Sequence, residues 1–443
     1  MQQDKQKNLY AYSTKKAIVI LYRYIAIRLY LVNTHWNQYR QRHVMNRILP
    51  LKNTIQEYAW GSRTAIAGLL GHSPAKTPQA ELWMGAHPRS PSLALNNERW
   101  EPLTDLIRQY PEDILGKSVA EKFDHSLPYL FKILAAETPL SIQAHPNAEQ
   151  ARRGFDRENR LNIPIDAPFR SYRDANHKPE CICALEPFHA LCGFRSVSDI
   201  VSELTGICPK ALGKELNDLK HCRNSNGLKF FFEGLMTLPR NRKTDVIHES
   251  VESAAFHKGN PVHNWILRLH EAYPVDIGIL APAYLNLVEL NPGEALFLPS
   301  GRLHAYLKGV GIELMANSDN VLRGGLTPKH VDVPELLNVL EFEEAQPDIL
   351  LPEPIRPCEM RYPKAAAEFY LSDITVTHSE TYTAPQQRNV ELVICVKGRV
   401  CLSDSAGRRN RLDQGQSALI PAALEWYTVE GSGKLYKAGV MPA

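Results

Sequence analysis

Residues 293–304 read GEALFLPSGRLH, and this stretch decides the fold that we expect for the chain. The run from Ala295 to Leu298 is short and apolar, as in a buried β-strand, and Pro299 and Gly301 form the turn that ends it. The chain then returns at His304 into a second apolar segment. A strand, a tight turn and a returning strand that points a histidine inward are typical of the mouth of a small β-barrel.

A weaker copy of this stretch lies near the C-terminus, where residues 415–426 read GQSALIPAALEW. The spacing from glycine to proline is kept, but Trp426 stands at the position that His304 has in the first copy. One copy with a histidine and one without predict a duplicated barrel that has a single metal site.

Three further residues complete a set of candidate metal ligands. Gln143 and His145 are two residues apart in LSIQAHPN, so on a strand they project from the same face. Glu180, in NHKPE, follows at a distance that allows a neighbouring strand. With His304 these residues supply two imidazoles, one carboxylate and one amide oxygen, a set that suits zinc. From the spacing alone, an arrangement with Gln143 and His145 facing solvent is an equal alternative.

Charge is distributed unevenly along the 443 residues. Residues 1–44 contain eight Lys or Arg and one acidic residue, which leaves 43 basic and 47 acidic side chains in the rest of the chain. This mildly acidic body argues against binding to nucleic acid. The length predicts two or three domains rather than one small core.

The first segment, residues 1–44, differs from the rest of the chain in its pattern of apolar and basic residues. Residues 17–32 are apolar but interrupted by Arg23 and Arg28, so they fall short of a membrane-spanning run. No small-residue cleavage site follows them, which argues against a signal peptide. The segment is either a basic amphipathic surface helix or sequence upstream of a translation start at Met45. We favour the second interpretation, with residues 1–44 as an untranslated or disordered extension, and expect no membrane association.

The eight cysteines form no C-x-x-C pair, and several lie in apolar runs such as the one around Cys395. This pattern indicates buried free thiols in a reducing compartment rather than disulfides or zinc knuckles. We therefore expect a cytoplasmic protein.

Short apolar segments separated by Pro, Gly and Asn indicate strands in residues 45–195 and again in 275–340. Residues 196–274 instead show helical periodicity, with Ser196 as an expected helix cap. Residues 350–443 return to the strand pattern. We expect a catalytic barrel domain that is interrupted by a helical insertion and followed by a C-terminal barrel without a metal site.

Several longer motifs resemble one family. PLSIQAHP, NHKPE, the turn P-x-G-x-x-HAY, EYAWGS, AELWMGAHP and above all ELMANSDNVLRGGLTPKHVDVPEL (residues 313–336) are similar to the type I mannose-6-phosphate isomerases of the cupin superfamily. The resemblance covers residues 45–443 and leaves out residues 1–44. It implies a mainly β fold of duplicated double-stranded β-helix (cupin or jelly-roll) domains with an α-helical insertion.

The same resemblance implies a site and a reaction. The family's zinc ligands fall on Gln143, His145, Glu180 and His304, with one Zn²⁺ per chain. Its catalytic arginine falls on Arg323. The implied reaction is the interconversion of mannose 6-phosphate and fructose 6-phosphate through an enediol, in which a divalent cation stabilises the developing charge.

Other roles follow from the chemistry that this reaction needs. Candidates for binding the phosphate are Arg323, Lys178 and Ser141, since a phosphate requires fixed cations and hydroxyl donors; Lys178 is also a candidate catalytic residue. The proton-transferring base is left open among Lys178, His177, Glu313 and Asp319. For Glu313, which we also expect to contact the substrate, and for Asp319, a structural salt bridge is an equal alternative.

Two functions from other classes remain open. An iron cupin dioxygenase would share the scaffold, and a non-catalytic sugar-binding cupin would share the pocket. The isomerase is the favoured hypothesis, with a small sugar phosphate as the binding partner and a monomer as the expected state.

Overall fold

The structure, a computed structural model, describes residues 45–257 and 259–442, and the predictions made for residues 1–44 lie outside that range. The chain divides into two units, Met1–Asn46 and Arg47–Ala443, and the second contains all the elements given below. Among the described residues, the helices are too short or too polar to cross a bilayer.

The described residues form 22 strands and 12 α-helices. The strands are β1 Leu49–Lys52, β2 Thr54–Gln56, β3 Glu81–Met84, β4 Leu93–Asn96, β5 Arg99–Pro102, β6 Tyr129–Ala136, β7 Ile142–Ala144, β8 Glu180–Ala184, β9 Phe188–Phe194, β10 Leu285–Leu290, β11 Ala295–Leu298, β12 His304–Ala316, β13 Leu322–Gly325, β14 Ile349–Leu350, β15 Glu353–Arg356, β16 Glu359–Arg361, β17 Tyr370–Val376, β18 Tyr382–Thr383, β19 Glu391–Asp404, β20 Arg409–Asp413, β21 Ser417–Ile420 and β22 Tyr427–Gly439. The helices are α1 Ala65–Leu69, α2 Leu103–Gln109, α3 Pro111–Leu115, α4 Lys117–Lys122, α5 Ala148–Arg160, α6 Val197–Ile207, α7 Gly213–His221, α8 Ser225–Met236, α9 Arg240–Ala255, α10 Pro261–Ala272, α11 Ala281–Tyr284 and α12 Val333–Val339, with a 3-10 helix at Ile277–Leu280.

Two antiparallel sheets of eleven strands each make up the β-structure, so the predicted mainly β fold is confirmed. One sheet runs β14-β11-β8-β12-β6-β3-β2, with β7, β9, β10 and β13 attached to it. The other runs β15-β16-β17-β22-β19-β21-β1-β4-β5, with β18 and β20 attached. The metal-ligand candidates belong to the first sheet.

The second sheet joins distant parts of the chain. Strand β1 pairs with β21, placing Leu49 opposite Leu419, and on its other side it pairs with β4. Strands β1, β4 and β5 therefore lie in the same sheet as the C-terminal strands, although they come from the other end of the described chain. The sequence pattern did not predict this pairing, and the domain bounds 45–195 with 275–340, 196–274 and 350–443 remain a proposal.

Helices α6 to α11 lie between β9 and β10. Their apolar faces, including Ile200, Phe232 and Leu269, pack in one core with Phe194 at the end of β9. The Oγ of Ser196 accepts a hydrogen bond from the backbone N–H of Asp199 at 3.1 Å, which is the expected cap of α6. The helices therefore share one core with residues of β7, β9 and β12 rather than forming a separate core.

Strand β12 changes direction along its 13 residues. Its first part, from His304, pairs with β7 and β9, and its second part, from Gly309, pairs with β6. A register shift lies between Tyr306 and Lys308, and Gly309 has a φ of 135°. A straight strand would separate His304 and Glu313 by about 30 Å, yet both side chains line one cavity because β12 turns at Gly309.

The interior of the C-terminal strands contains a cluster of buried charged side chains. The Nζ of Lys437 lies 2.7 Å from Glu359 and 3.2 Å from Glu391, and all three side chains are almost fully buried. Trp426, the counterpart of His304 in the repeat, lies just before β22 and is 37% exposed. Lys437 is therefore paired with two buried carboxylates, and the absence of a metal site from this copy stays a prediction. All eight cysteines lie in the described range and are free thiols, as expected.

Candidate metal centre

Three strands bring the candidate ligands together. Gln143 lies in β7, and His145 is the first residue after that strand. Glu180 is the first residue of β8, and His304 is the first residue of β12. Backbone pairing places His304 opposite Gln143. The ligand atoms of His145, Glu180 and His304 all lie within 4.8 Å of one another, and all three residues are buried. The structure therefore assembles the cluster that the spacing predicted as one of two alternatives.

The orientation of the two imidazoles is set by backbone carbonyls. The Nδ1 of His145 contacts the carbonyl oxygen of Asn320 at 2.8 Å, and the Nδ1 of His304 contacts that of Arg302 at 2.9 Å. Since a carbonyl only accepts hydrogen bonds, each Nδ1 carries the proton and each neutral ring presents a lone pair at Nε2. This tautomer is the one that ligates a metal through Nε2.

The two Nε2 atoms converge on one carboxylate. That of His145 lies 3.3 Å from one oxygen of Glu180, and that of His304 lies 3.3 Å from the other. The Nε2 of His145 is buried and has no hydrogen-bond partner among the described residues. Two lone pairs facing a carboxylate repel unless a cation lies between them, so this donor set fits a divalent metal.

Ionisation of the cluster agrees with that arrangement. Burial, with help from the charge of Lys178, lowers the pKa of His145 to about 4, which keeps the ring neutral at neutral pH. Burial alone would raise the pKa of Glu180, but the Lys178 ammonium at 2.9 Å, together with His145, holds it well below its usual range. The site therefore offers a neutral His145 imidazole and an ionised Glu180 carboxylate without any change of protonation of these two groups.

Gln143 and Ser141 line the same cavity. The Nε2 of Gln143 donates to the Oγ of Ser141 at 3.1 Å, which fixes the amide with its nitrogen toward the serine. Gln143 also pairs through its backbone with both His304 and Arg323. The amide oxygen is thus the atom that Gln143 would offer to a metal.

The cavity beside the cluster has a volume of about 70 Å³. Its lining is Glu81, Lys132, Leu134, Leu140, Ser141, Gln143, Lys178, Glu180, His304, Ala305, Tyr306 and Glu313. Three predicted site residues other than the proposed metal ligands, Ser141, Lys178 and Glu313, therefore line this cavity.

Two functional candidates in this lining, Lys132 and Tyr306, were missed from the sequence. The Nζ of Lys132 lies 2.8 Å from the carboxylate of Glu313 and 3.5 Å from that of Glu81, all three buried. Burial raises the pKa of Glu313, while Lys132 opposes the shift. The hydroxyl of Tyr306 is buried and has no hydrogen-bond partner among the described residues. The sequence feature that could have identified Lys132 is its position as the single charged residue in the apolar strand YLFKILAA.

Arg323 lies in β13, opposite Gln143, rather than in the wall of the small cavity. Burial lowers its pKa, and the charge of Arg173 lowers it further. Lys329 shows the same effect, from burial and then from Arg323 and Arg173. Among the residues that the structure describes, none of these three cations has a carboxylate in ion-pair contact. Arg323 and Arg173 are half-buried and Lys329 is exposed, and the three charges act on one another beside the strand that carries Gln143.

Two candidate bases from the sequence have partners elsewhere. The Nε2 of His177 lies 2.9 Å from Glu368, which belongs to the C-terminal strand region. Asp319 accepts a hydrogen bond from Arg89 at 2.6 Å and lies 3.5 Å from His87, and these neighbours hold its pKa at about 2 although burial would raise it. Lys178 and Glu313 line the cavity, whereas His177 and Asp319 lie outside its lining.

A larger groove, about 1320 Å³, lies far from this chemistry, between α1 and the hairpin strands β19, β20 and β22. Its charged residues are already paired, as in the contact of Arg399 with Asp413 and that of Arg409 with Glu430. The small cavity, with its buried donors and cations, is the better candidate for a catalytic site.

The antiparallel β-fold and the buried cluster of two histidines and a glutamate define a metal-binding cupin. The family model "Phosphomannose isomerase type I, catalytic domain" matches residues 48–197, and "Mannose-6-phosphate isomerase, cupin domain" matches residues 359–438. The chain belongs to the type I phosphomannose isomerase family, as the motifs predicted.

Relatives from bacteria and mammals support the same family assignment. Mannose-6-phosphate isomerase of Escherichia coli (strain K12) is 39% identical over 388 residues, 87% of this chain and 97% of that protein. The Homo sapiens enzyme of the same name is 40% identical over 324 residues, 67% of this chain and 73% of that protein. A crystal structure of mannose 6-phosphate isomerase with zinc bound superposes with a TM-score of 0.83 at 37% identity, covering 89% of this chain and 99% of that chain.

Proposed function

We propose that this chain is a zinc-dependent aldose–ketose isomerase that interconverts mannose 6-phosphate and fructose 6-phosphate through an enediol. The observation that carries the proposal is the carboxylate of Glu180 between the imidazoles of His145 and His304, which face it through Nε2. Relatives named mannose-6-phosphate isomerase, and a relative with zinc bound, support both the reaction and the metal. Gln143, His145, Glu180 and His304 would hold the ion.

Bound zinc would supply a Lewis acid that stabilises negative charge on the substrate oxygens as a proton moves between C1 and C2. Because only one of its four proposed ligands is anionic, the centre keeps a net positive charge. The protein's own cations extend that field: Lys178 lies 2.9 Å from Glu180, and Arg323 lies on the strand next to Gln143.

We infer that Glu313 is the group that takes and returns the proton. It lines the cavity, is buried, and has a raised pKa, as a base that must also release its proton requires. Lys132 holds its carboxylate at 2.8 Å. The unpartnered hydroxyl of Tyr306 lies in the same wall and is available to a sugar hydroxyl. Lys178 is the remaining candidate base, and its contact with Glu180 favours an electrostatic role instead.

The phosphate group would be bound by cations that have no carboxylate partner of their own. Arg323, Arg173 and Lys329 form a cluster of cations without ion-pair partners among the described residues, beside the strand that carries Gln143. Dianionic phosphate would satisfy such a cluster. We therefore place the phosphate there, with Arg323 from the original set and Arg173 and Lys329 as additions. Ser141 instead contacts Gln143, one of the proposed metal ligands.

The test is a coupled assay of the full chain with mannose 6-phosphate, before chelation, after chelation and after zinc is restored. We expect turnover that is lost with the metal and regained with zinc. Absence of turnover in protein shown to contain one zinc per chain contradicts the proposal. Oxygen uptake with bound iron, and no sugar-phosphate conversion, would replace it with the dioxygenase hypothesis.

The cellular setting is part of the proposal. An interconversion of two hexose phosphates is reversible, so the enzyme connects hexose metabolism with the supply of mannose for GDP-mannose biosynthesis. Free thiols such as Cys181 and Cys183 suit a reducing cytoplasm. Sedimentation of the purified chain will test the expected monomer.

A further inference from the structure

Asn320 occupies the connection between β12 and β13, three residues before Arg323, and its side chain is completely buried. Its Oδ1 accepts hydrogen bonds from the backbone N–H groups of Arg173 at 2.7 Å and Asp174 at 3.2 Å. Its Nδ2 donates to the carbonyl oxygens of Asp174 and Asn176, both at 2.9 Å. The Asn320 amide thus hydrogen-bonds both N–H groups and carbonyl groups in the backbone of residues 173–176.

The backbone of Asn320 has a different partner. Its carbonyl oxygen lies 2.8 Å from the Nδ1 of His145 and, as argued above, fixes the tautomer and the direction of that ring. The same residue therefore orients a proposed metal ligand through its main chain and holds the 173–176 segment through its side chain.

The 173–176 segment carries Arg173, whose charge reaches both Arg323 and Lys329. It then leads directly into Lys178 and Glu180. The segment also has a second anchor: the carboxylate of Glu158, in α5, accepts the backbone N–H groups of Ser171 at 3.1 Å and Tyr172 at 2.8 Å. Asp174 keeps other contacts, since its carboxylate accepts hydrogen bonds from the Oγ of Ser318 at 2.8 Å and from the backbone N–H of Asp319 at 2.7 Å. Loss of the Asn320 side chain therefore releases chiefly the backbone N–H of Arg173, while the residues on either side of it stay attached.

We propose that Asn320 is a positioning residue that fixes Arg173 in the cation cluster relative to the metal-ligating His145. The inference rests on the proposed function, since it assigns Arg173 to the phosphate. A side chain that satisfies four backbone groups in the protein interior holds them to within a few tenths of an ångström, and a displaced cation loses most of a charge-assisted contact. Asn320 acts on binding of the phosphate, and its backbone carbonyl keeps the metal ligand in place.

Two substitutions test this. Asn320→Ala removes the side chain but keeps the carbonyl that faces His145. Asn320→Asp keeps the volume but turns a donor into an oxygen that faces two carbonyls. For both variants we expect KM for mannose 6-phosphate to rise at least about 10-fold, kcat to change less than about 3-fold, and zinc content to stay at one per chain. Unchanged KM, or loss of zinc in Asn320→Asp and Asn320→Ala alike, overturns the inference.

A double mutant asks whether Asn320 acts through Arg173. Arg173→Ala should raise KM by a similar factor, and adding Asn320→Ala should raise it less than about 2-fold further, because the contact is already lost. Multiplying effects would overturn the inference. The matched control is Asn389→Ala, another buried asparagine, which donates to the carbonyl of Met441 in the C-terminal region. It should leave KM unchanged.

Calorimetric titration of zinc-loaded protein with inorganic phosphate separates this inference from the proposed reaction. Both Asn320→Ala and Arg173→Ala should weaken phosphate binding about 10-fold relative to the unsubstituted chain. If the unsubstituted chain converts no mannose 6-phosphate but the variants weaken phosphate binding, the proposed reaction is wrong and the positioning role stands. If phosphate binds equally to all three proteins, the positioning role is wrong.

Discussion

The Nζ of Lys132 lies 2.8 Å from the Oε2 of Glu313, and both groups are buried in the wall of the cavity beside the candidate metal ligands. A buried lysine and a buried carboxylate stabilise each other's charge, and removing one of them strands the other in a medium of low polarity. This pair makes the ionisation of Glu313 depend on one neighbour.

Lys132→Met should therefore slow turnover by about 100-fold and shift its pH dependence. Burial already raises the pKa of Glu313 and Lys132 opposes that shift, so without the lysine the pKa rises further. A base must be ionised, and the acid limb of kcat/KM against pH will move to higher pH. The control is Lys308→Met, which breaks an exposed pair with Glu137. An acid limb at the original pH would exclude Glu313 as the base.

Arg323→Ala should lose about 100-fold or more in kcat/KM and retain one zinc per chain. Arg323 makes no ion pair among the described residues, so its removal strands no carboxylate and the midpoint of thermal unfolding should shift little. Arg323→Lys keeps the charge but not the planar fork and should retain an intermediate activity. Activity at the original level in Arg323→Ala would remove this residue from the catalytic machinery.

Acid should destabilise the chelator-treated protein through His145. Its pKa is about 4 in the folded chain against 6.5 when unperturbed, so between these values the unfolded chain binds a proton that the folded chain does not. The contribution to stability is fully present above pH 6.5 and is lost as the pH falls toward 4. It amounts to about 2 kcal/mol between pH 8 and pH 5.

Urea unfolding at these two pH values measures the effect. The His145→Gln variant lacks this titrating group and should show a smaller loss of stability on acidification than the unsubstituted chain. Equal losses in the two proteins would mean that another group is responsible.

Gly309→Ala should destabilise the protein by about 3 kcal/mol or more. The φ of 135° disfavours any side chain, and an added Cβ would lie 2.8 Å from the Cα of Phe188 and 2.8 Å from the carbonyl oxygen of Pro187. Gly293→Ala is a matched control, because Gly293 also has a positive φ, 92°, but open space around the added Cβ. It should cost about 1 kcal/mol. Equal costs would show that crowding at the turn of β12 is unimportant.

The metal cluster could be predicted from the sequence because each part of it is marked by a local sequence pattern. The two-residue spacing of Gln143 and His145 implies a shared strand face, and the proline–glycine turn before His304 implies a barrel mouth. The spacing did not determine which strand face points inward. The hydrogen bond from His145 to Asn320, a residue 175 positions away in the sequence, shows that the His145 side chain points inward.

The partners of the other charged residues have no local signal. His177 contacts Glu368, and Asp319 contacts Arg89, across 191 and 230 residues respectively. Periodicity within a window cannot find such pairs. Lys132 is different: a lone lysine in an apolar strand must be paired when buried, so its position alone marks it for attention. The pairing of β1 with β21 is likewise a long-range contact that only the folded chain reveals.

The helices between β9 and β10 separate Glu180 from His304 by about 120 residues of sequence. During synthesis the ribosome therefore releases Gln143, His145 and Glu180 well before the last proposed ligand exists. At about 5–20 residues per second, that interval lasts several seconds or longer. The incomplete cluster must stay unaggregated over this time, and the full set of proposed ligands can bind zinc only after His304 has been synthesised.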